Sequence, residues 1–175
     1  ILLLGASGQL GFELKRTLNL FGSLVTPTRA QLNLIDEQSI VNFLANQRLD
    51  LIVNAAAYTA VDKAESEHQL AFKINAELPY LLANYCRDAD IPLIHYSTDY
   101  VYDGEHQGMV AESHPCNPLS VYGASKLKGD LNVQEAGCKH LIFRTSWVYG
   151  RVGHNFMNTM IKLAYRQQPL SIVSD

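Results

Sequence analysis

Tyr122 and Lys126, two residues that together suit proton transfer, lie four positions apart in the segment Tyr122-Gly-Ala-Ser-Lys126. Side chains at this spacing lie on the same face of a helix, one turn from each other. A free tyrosine titrates near ~10, and a lysine ammonium beside the phenol lowers its pKa. The pair therefore predicts a tyrosine that exchanges a proton near neutral pH. Alone, the motif is common, since any helix can carry an exposed tyrosine beside a solvated lysine.

A glycine-rich turn at the start of the chain adds a second chemical feature. Gly5, Gly8 and Gly11 follow an apolar run, residues 1–4, and open a stretch with helical spacing of apolar residues. This is the position of a dinucleotide fingerprint, in which glycines let the backbone approach a pyrophosphate at a helix N-terminus. The alternative is a tight turn that serves only close packing of helix on sheet. In this context we favour nucleotide binding.

The end of the second predicted strand bears on the choice between NAD and NADP. An acidic residue about 20 positions after the glycine turn would bind the ribose 2′-hydroxyl, and none is present there. Thr28 and Arg29 occupy the region instead, and an arginine suits a 2′-phosphate. We therefore expect a preference for NADPH, with NADH possible. The alternative is an arginine that is merely on the surface.

Further polar clusters follow other predicted strands. Asn33-Leu34 and residues 54–59 would frame the adenine and the nicotinamide ribose, although the small residues at 55–57 are equally typical of a packing seam. Thr98, in the run Ser97-Thr98-Asp99, can donate a hydrogen bond to a substrate oxygen during carbonyl reduction. A Ser/Thr turn without a chemical role is the alternative.

Strands alternate with helices along the whole chain, which predicts an α/β fold. The patterns predict strands over residues 1–4, 24–26, 51–53, 93–96, 141–143 and 170–173, and helices over 12–20, 37–47, 65–87, 121–135 and 155–165. Pro79 predicts a break or a second helix start within 65–87. Short apolar strands joined by helical crossovers indicate a Rossmann-type, doubly wound parallel sheet with helices on both faces. Ligands bind such sheets at the carboxyl ends of the strands, so the polar clusters predict one composite site.

Composition sets bounds on the class of protein. The chain has 175 residues, 47% apolar and 18% charged, with a net charge of −3, which is typical of one globular domain covering residues 1–175 and argues against nucleic acid as a partner. No apolar run is long enough to cross a bilayer. The three cysteines and six histidines show no spacing typical of a metal site, and a cytoplasmic location is the simplest interpretation. Both ends look cut, so we expect a substrate-binding part after residue 175.

The glycine turn, Thr98 and the Tyr122/Lys126 pair together resemble the extended short-chain dehydrogenase/reductase superfamily. Longer segments, residues 54–67, 95–102, 118–126 and 143–150, are similar to the family of dTDP-4-dehydrorhamnose reductases within it. The resemblance covers the whole chain, and these segments are far more specific than the glycine turn.

This resemblance implies an NAD(P)H-dependent oxidoreductase. The enzyme would reduce the 4-keto group of dTDP-4-dehydro-L-rhamnose to give dTDP-L-rhamnose for bacterial surface polysaccharide such as O-antigen. Tyr122 would give a proton to the carbonyl oxygen, Lys126 would lower the tyrosine pKa and hold the nicotinamide ribose, and Thr98 with Asp99 would contact the sugar. Trp147 would pack on the substrate.

The resemblance also implies a set of residues along the cofactor and a form of assembly. The cofactor would be lined by Gly8, Gln9, Leu10, Asn33, Leu34, Ala57, Tyr58 and Thr59. An aspartate is usual in the family where Asn33 stands, so the charge at that adenine contact is lost. Some members are magnesium-linked dimers, and Glu13 matches a glutamate implicated there, so we expect a homodimer with Mg possible at its contact.

Two other functions remain open. One is a nucleotide-sugar epimerase or dehydratase of the same superfamily, although a dehydratase usually has an acidic residue beside the threonine to act as an acid, in an Asp-Glu pair, and Asp99 is followed by Tyr100 here. The other is a binding module, like the regulatory subunit of methionine adenosyltransferase, which resembles the same reductases. The intact set of Thr98, Tyr122 and Lys126 favours an enzyme.

Overall fold

The core of the fold is a parallel sheet of four strands. The computed structural model describes residues 1–153 and 155–166. The strands are β1 (Leu2–Leu4), β2 (Ile52–Asn54), β3 (Leu93–Thr98) and β4 (His140–Thr145), in the order β1-β2-β3-β4. The helices are α1 (Gln9–Leu18), α2 (Glu37–Ala45), α3 (Val61–Ala64), α4 (His68–Phe72), α5 (Leu78–Asp88), α6 (Val121–Glu135) and α7 (Phe156–Tyr165), with a π-helical segment at Lys73–Glu77 and a 3₁₀ turn at Asp99–Val101. The predicted parallel α/β architecture is confirmed.

The second predicted strand, residues 24–26, is reduced to a single bridge between Val25 and Leu2. Val25 donates to Ile1 O at 2.8 Å, and its carbonyl accepts from Leu3 N at 2.9 Å. Pro27, two residues after Val25, has no N–H to continue the hydrogen-bond ladder with β1. The prediction of a strand is therefore wrong in extent, but Val25 still lies beside β1.

The order in which strands are added to the sheet reverses at β1. From β1 the chain runs to Val25 on one side, and later to β2, β3 and β4 on the other. Because parallel crossovers are right-handed, connections that run in opposite directions place their helices on opposite faces of the sheet. The helix α1 thus covers one face, and α5 and α6, which pack against each other, cover the other face. A ligand crevice lies at such a reversal.

Side-chain caps fix where two helices begin. Asp36 accepts a hydrogen bond from Gln38 N at 3.0 Å and caps α2. Ser120 accepts from Gly123 N at 3.1 Å and caps α6, the helix that carries Tyr122 and Lys126. Each cap satisfies a backbone N–H that has no partner within the helix.

The helical region predicted over residues 65–87 contains a π-helical segment just before α5. In a regular helix the N–H of residue 79 would donate to Asn75 O, but Pro79 has no N–H and its ring displaces that carbonyl. The widened turn accommodates the proline, which lies at the start of α5. Asn132 of α6 donates to the neighbouring Ala76 O at 3.0 Å. The predicted helix start at Pro79 is confirmed.

Two strands extend further than the sequence predicted. β3 continues to Thr98 and β4 spans His140–Thr145, because six consecutive pairs join them, up to Thr98 with Thr145. Thr98 is therefore the last residue of a strand, and Arg144 belongs to β4, whereas both were expected in the turns that follow. The predicted strand at 170–173 lies outside the described residues.

Candidate active site at the carboxyl edge of the sheet

The polar clusters predicted after the strands lie at one edge of the sheet. Leu4 pairs with Asn54, Asn54 with His95, and Thr98 with Thr145. All four strands are parallel, so their carboxyl ends face the same way. The glycine turn after β1 and the residues after β2 flank the point at which the strand order reverses, where open α/β sheets bind ligands.

The glycine turn folds back on itself between β1 and α1. Gly5 has φ +79°, a left-handed conformation that favours glycine. A Cβ on Gly5 would lie 2.5 Å from backbone atoms of Ala55, and one on Gly11 would lie 2.0 Å from Gly5 O. Gly8 N donates to Gly5 O at 2.9 Å, and Gly8 precedes the first residue of α1 without a side-chain cap. The turn is a tight backbone cradle in front of a helix N-terminus.

Gln9 and Leu10 open α1 and are half-buried. The Gln9 side-chain oxygen accepts from Asn155 Nδ2 at 2.7 Å. Asn155 also donates to Gly150 O at 3.0 Å and caps α7. The segment before α7 therefore reaches across to the glycine turn, a link of 146 residues in sequence that no local pattern indicates.

Residues expected to contact the 2′-phosphate and adenine lie at the surface. Arg29 is exposed, and Thr28 beside it bonds Gln31 Oε1 through both its N and its Oγ1. Asn33 is exposed, and its Oδ1 accepts from Ile35 N at 3.2 Å within a local turn. Leu34 is half-buried and packs against the core.

Ala57, Tyr58 and Thr59 follow β2 in an extended segment. Tyr58 is held on both sides by Asn75, which accepts from Tyr58 N at 2.8 Å and donates to Tyr58 O at 3.0 Å. Asn75 also donates to Ser125 Oγ, which donates to Tyr122 O at 2.8 Å. The backbone after β2 is thus tied to the helix that carries Tyr122.

Tyr122 lies against the end of β3 and is only 9% exposed. Burial raises the pKa of its phenol above the ordinary value, while a hydrogen bond with Thr98 acts in the opposite direction and the nearby Asp99 and Tyr100 raise it further. The sequence predicted a pKa lowered by Lys126. In the structure the Tyr122 pKa is raised instead, because burial of the ring outweighs the hydrogen bond with Thr98, and Lys126 is not among the groups that shift it.

Thr98 and Asp99, at the end of β3, lie beside Tyr122. Thr98 is buried, donates to Asp99 Oδ1 at 3.1 Å and accepts from Tyr100 N at 3.3 Å. Asp99 is exposed and accepts from Ser146 Oγ at 2.6 Å. The structure brings Thr98, Asp99 and Tyr122 together as the sequence predicted.

Lys126 is 1% exposed, with its side chain against β3. Its ammonium donates to Tyr96 O at 2.6 Å and lies 3.5 Å from His95 Nε2. Burial lowers the pKa of Lys126 to about 8, and the nearby Asp130 raises it. The protonation of Lys126 near neutral pH therefore depends on the groups that surround its ammonium.

Sequence reasoning missed His95 and Asp130 beside Lys126, and it expected Asn54 in the turn after a strand, whereas Asn54 is the last residue of β2. Asn54, His95 and Asp130 are fully buried, and Arg144 is tied to Asp130 at 3.4 Å. One signal was available: Asp130 follows Lys126 by four residues, as Lys126 follows Tyr122, so all three occupy one face of α6. No local pattern indicated that His95 would contact Lys126, because His95 lies at a buried position of a short strand.

Trp147 is 76% exposed, has φ +49° and makes an edge contact with Phe156 at 5.8 Å between ring centroids. It lines a shallow groove of about 190 Å³ with Val148, Tyr149, Phe156 and Met157. The tryptophan is therefore not part of the core, and it stands on the same side of the molecule as the ends of the strands.

Glu13, which was expected near a magnesium ion, forms an ion pair with Arg16 of the same helix at 3.2 Å. Within residues 1–153 and 155–166, no three His, Cys, Asp or Glu side chains gather in a way that would hold a metal ion. In the same part of the chain, no helix combines the length and apolar character needed to cross a membrane.

A parallel sheet with a glycine cradle at its reversal point defines a Rossmann-type domain. Its sequence matches, over residues 1–175, the family described as RmlD substrate binding domain, and the chain belongs to that family.

The relatives agree with this assignment. The dTDP-4-dehydrorhamnose reductases of Burkholderia thailandensis and Escherichia coli are each 42% identical over the whole of this chain. A crystal structure of dTDP-4-dehydrorhamnose reductase from Bacillus anthracis, in complex with NADP, superposes with a TM-score of 0.89 at 36% identity over 94% of this chain. The chain spans 59% to 60% of the length of these relatives.

Proposed function

We propose that this chain forms the cofactor-binding part of an NADPH-dependent oxidoreductase that reduces the 4-keto group of dTDP-4-dehydro-L-rhamnose. The observation that carries the proposal is the placement of Thr98, Tyr122 and Lys126 at one carboxyl edge of the sheet, beside the glycine cradle. The relatives that share the whole chain at 42% identity are named for this reaction.

The glycine cradle fits the pyrophosphate of a dinucleotide. Side chains at Gly5 or Gly11 would collide with backbone, so the turn presents bare peptide groups at the start of α1, and free N–H groups there favour an anion. Gln9 and Leu10 would line the same approach, and Ala57, Tyr58 and Thr59 would border the nicotinamide ribose from the end of β2. NADP in the Bacillus anthracis structure supports this choice of cofactor.

Tyr122 would act as the proton donor. Its raised pKa keeps the phenol protonated at neutral pH, which is the form that a reduction requires. As the bound nicotinamide supplies hydride to the carbonyl carbon, the phenol O–H would give its proton to the carbonyl oxygen. The Thr98 hydrogen bond and the Lys126 charge would stabilise the phenolate that remains.

Asp99 and Trp147 would contact the sugar nucleotide. Asp99 is exposed directly beside Thr98, and Trp147 presents an exposed indole two residues after the end of β4. An aromatic ring of this kind suits stacking on a flat or apolar face of a ligand. These two residues would orient the substrate and would take no part in proton transfer.

The test is a turnover assay with the full-length protein, dTDP-4-dehydrorhamnose and NADPH, followed by absorbance of the reduced cofactor. Tyr122→Phe, which keeps the ring and removes the proton, should lower kcat by about 10²-fold or more with NADPH affinity retained. Sugar-dependent oxidation that survives in Tyr122→Phe would exclude this role. NADPH binding without any turnover would instead favour a regulatory binding protein, and products of epimerisation or dehydration would favour those enzymes.

Arg29 tests the cofactor preference. If its guanidinium binds the 2′-phosphate, Arg29→Ala should raise KM for NADPH about tenfold or more and leave KM for NADH unchanged, since charge-assisted hydrogen bonds contribute about 1.5–3 kcal/mol. Arg48→Ala removes an arginine beyond α2 and serves as the control. Equal effects on both cofactors would contradict the assignment.

A further inference from the structure

Lys126 belongs to a cluster of buried polar side chains. The cluster consists of Asn54, His95, Ser97, Lys126 and Asp130, all between 0% and 5% exposed. Burial of so many polar groups costs free energy unless they are paired. The hydrogen bonds and charges within the cluster therefore show which groups offset the burial of each member.

Hydrogen bonds determine which ring nitrogen of His95 carries the proton. Asn54 Oδ1 accepts from Ala56 N at 3.1 Å, which fixes the orientation of the amide. The Asn54 amide nitrogen then faces His95 Nδ1 at 3.2 Å and donates to it. Since Nδ1 accepts, a neutral His95 carries its proton on Nε2.

The His95 Nε2–H points between two charged groups. Nε2 lies 3.5 Å from Lys126 Nζ and 3.7 Å from Asp130 Oδ1. Burial, and next the charge on Lys126, lower the pKa of His95 well below its ordinary value, so the ring is neutral. Asp130 Oδ1 is buried, has no hydrogen-bond partner among the described residues, and lies nearest to His95 Nε2.

Several groups oppose the effect of burial on the Asp130 pKa. Asp130 Oδ2 accepts from Ser97 Oγ at 2.7 Å and from Arg144 Nε at 3.4 Å. Burial raises the pKa of Asp130, while Ser97, Lys126 and Arg144 act in the opposite direction. The Ser97 hydroxyl and the Arg144 guanidinium thus contact this carboxylate directly, and the Lys126 ammonium acts on it by charge.

We propose that Asp130 is a positioning residue for the proposed reduction: its carboxylate, with His95 between, keeps Lys126 charged and directed toward the site. The inference rests on the proposed function, in which the ammonium stabilises the phenolate of Tyr122. Asp130 itself contacts neither the reacting atoms nor the solvent.

The groups around Lys126 come from several elements, and each has a stated effect. β3 supplies neutral His95 and the Tyr96 carbonyl, and α6 supplies Asp130. β4 supplies Arg144, which pairs with Asp130 and with Tyr102 Oη at 2.6 Å. From the 3₁₀ turn, Asp99 and Tyr100 act on Tyr122, and the π-helical segment contributes the uncharged Asn75. Asp130 is therefore the anion among these groups that raises the pKa of Lys126.

The direction of the pH effect follows from the charge of a lysine. The ammonium is required for activity, so the rate falls as pH rises through the Lys126 pKa of about 8. Removal of a nearby opposite charge disfavours the charged form. Asp130→Asn should therefore move the alkaline limb of kcat/KM to lower pH by about one unit or more, since opposite charges at this range shift a pKa by about 1–3 units.

The experiment measures pH profiles of kcat/KM for the full-length protein and three variants. Asp130→Asn removes the charge, Asp130→Glu restores it, and Asp90→Asn makes the same change in an exposed pair with Lys139. We expect an acid shift in Asp130→Asn, a limb near its original position in Asp130→Glu, and no change in Asp90→Asn. Lower activity in Asp130→Asn with an unmoved limb would overturn the proposal and leave Asp130 a purely structural role.

Because Asp130→Asn alone leaves Arg144 without its carboxylate and could prevent folding, a second variant removes both charges. Asp130→Asn combined with Arg144→Gln leaves no unpaired buried arginine, and Arg144→Gln alone is its control. The double variant should still show the acid shift and the single variant should not. An acid shift of equal size in both would attribute the effect to Arg144 and overturn the proposal.

A second measurement separates this inference from the proposed reaction. Nuclear magnetic resonance of lysines labelled at Cε, with Lys126→Met to assign the signal, reports the pKa of Lys126 without turnover. If the protein does not reduce the sugar nucleotide, the proposed function fails, yet a lower Lys126 pKa in Asp130→Asn still supports the link. An unchanged pKa overturns it.

Discussion

Lys126 shows at the scale of one residue how the site depends on burial. An ammonium that is 1% exposed loses its hydration, and its pKa falls from 10.5 to about 8. Hydrogen bonding to Tyr96 O and the proximity of Asp130 offset part of that cost. The same burial keeps Tyr122 protonated. Burial thus shifts the pKa values of the Tyr122 phenol and the Lys126 ammonium in opposite directions, each by disfavouring the charged form.

The buried lysine predicts a pH-dependent stability. Between about pH 8 and 10.5 the unfolded chain binds the Lys126 proton and the folded chain does not, so the contribution of Lys126 to stability rises with pH. Lys126→Met removes this dependence. The free energy of unfolding of Lys126→Met minus that of the original protein should therefore decrease by about 3 kcal/mol as pH rises across this window. Urea unfolding at pH 7 and 10 measures it.

Lys128→Met, an exposed lysine on the same helix, is the control and should parallel the original protein at both pH values. Parallel behaviour of Lys126→Met would mean that the folded and unfolded pKa values of Lys126 agree, which would contradict the buried-cation interpretation.

At the scale of elements, α6 approaches the π-helical segment unusually closely. A Cβ at Gly129 would lie 2.0 Å from Asn75 O, the carbonyl that Pro79 leaves without its helical donor. Ser120 and Asn132 fix α6 at its cap and along its length. Gly123 of the same helix packs equally closely on Tyr100 O, so two glycines allow the close packing that orients Tyr122 and Lys126 toward β3.

Gly129→Ala should lower the free energy of unfolding by about 1–3 kcal/mol, the usual cost of overpacking, despite the better helix propensity of alanine. Chemical denaturation gives the value. Gly150→Ala, where a Cβ would meet no atom within 4 Å, should change stability little. A Gly129→Ala variant as stable as the original would show that α6 can move away from Asn75 freely.

At the scale of the molecule, the core is the layer between β1–β3 and helices α2, α5 and α6. Leu2, Ile52, Leu82, Leu93 and Val133 are all 0% exposed and belong to one cluster. β4 differs, since alternate side chains such as Leu141 are 57% exposed. Most stabilising burial therefore lies on the face of the sheet that α5 and α6 cover.

Leu93→Ala should cost about 2–5 kcal/mol of unfolding free energy, because it opens a cavity at the centre of this layer. Leu20→Ala, at a side chain that is 82% exposed, should cost less than about 0.5 kcal/mol. Thermal or urea unfolding of both variants measures the difference. Similar values for the two would contradict the assignment of the core.

The sequence by itself determined the alternation of strands and helices, the glycine turn and the Tyr122/Lys126 face of α6. These depend on local periodicity, on the conformational freedom of glycine and on the spacing of residues along one helix. The predicted boundaries of α6, residues 121–135, are those that the structure shows. The second strand was overpredicted, because Pro27 ends its ladder after a single bridge at Val25.

Only the tertiary structure decided how the site is supported and how its groups titrate. Asn54, His95 and Asp130 come together from β2, β3 and α6, separated by 41 residues from Asn54 to His95, and no local pattern records such pairs. The raised pKa of Tyr122 likewise reverses the sequence prediction. Charge effects could be inferred from residue types, but desolvation depends on which atoms surround a group, and that is fixed only when the chain has folded.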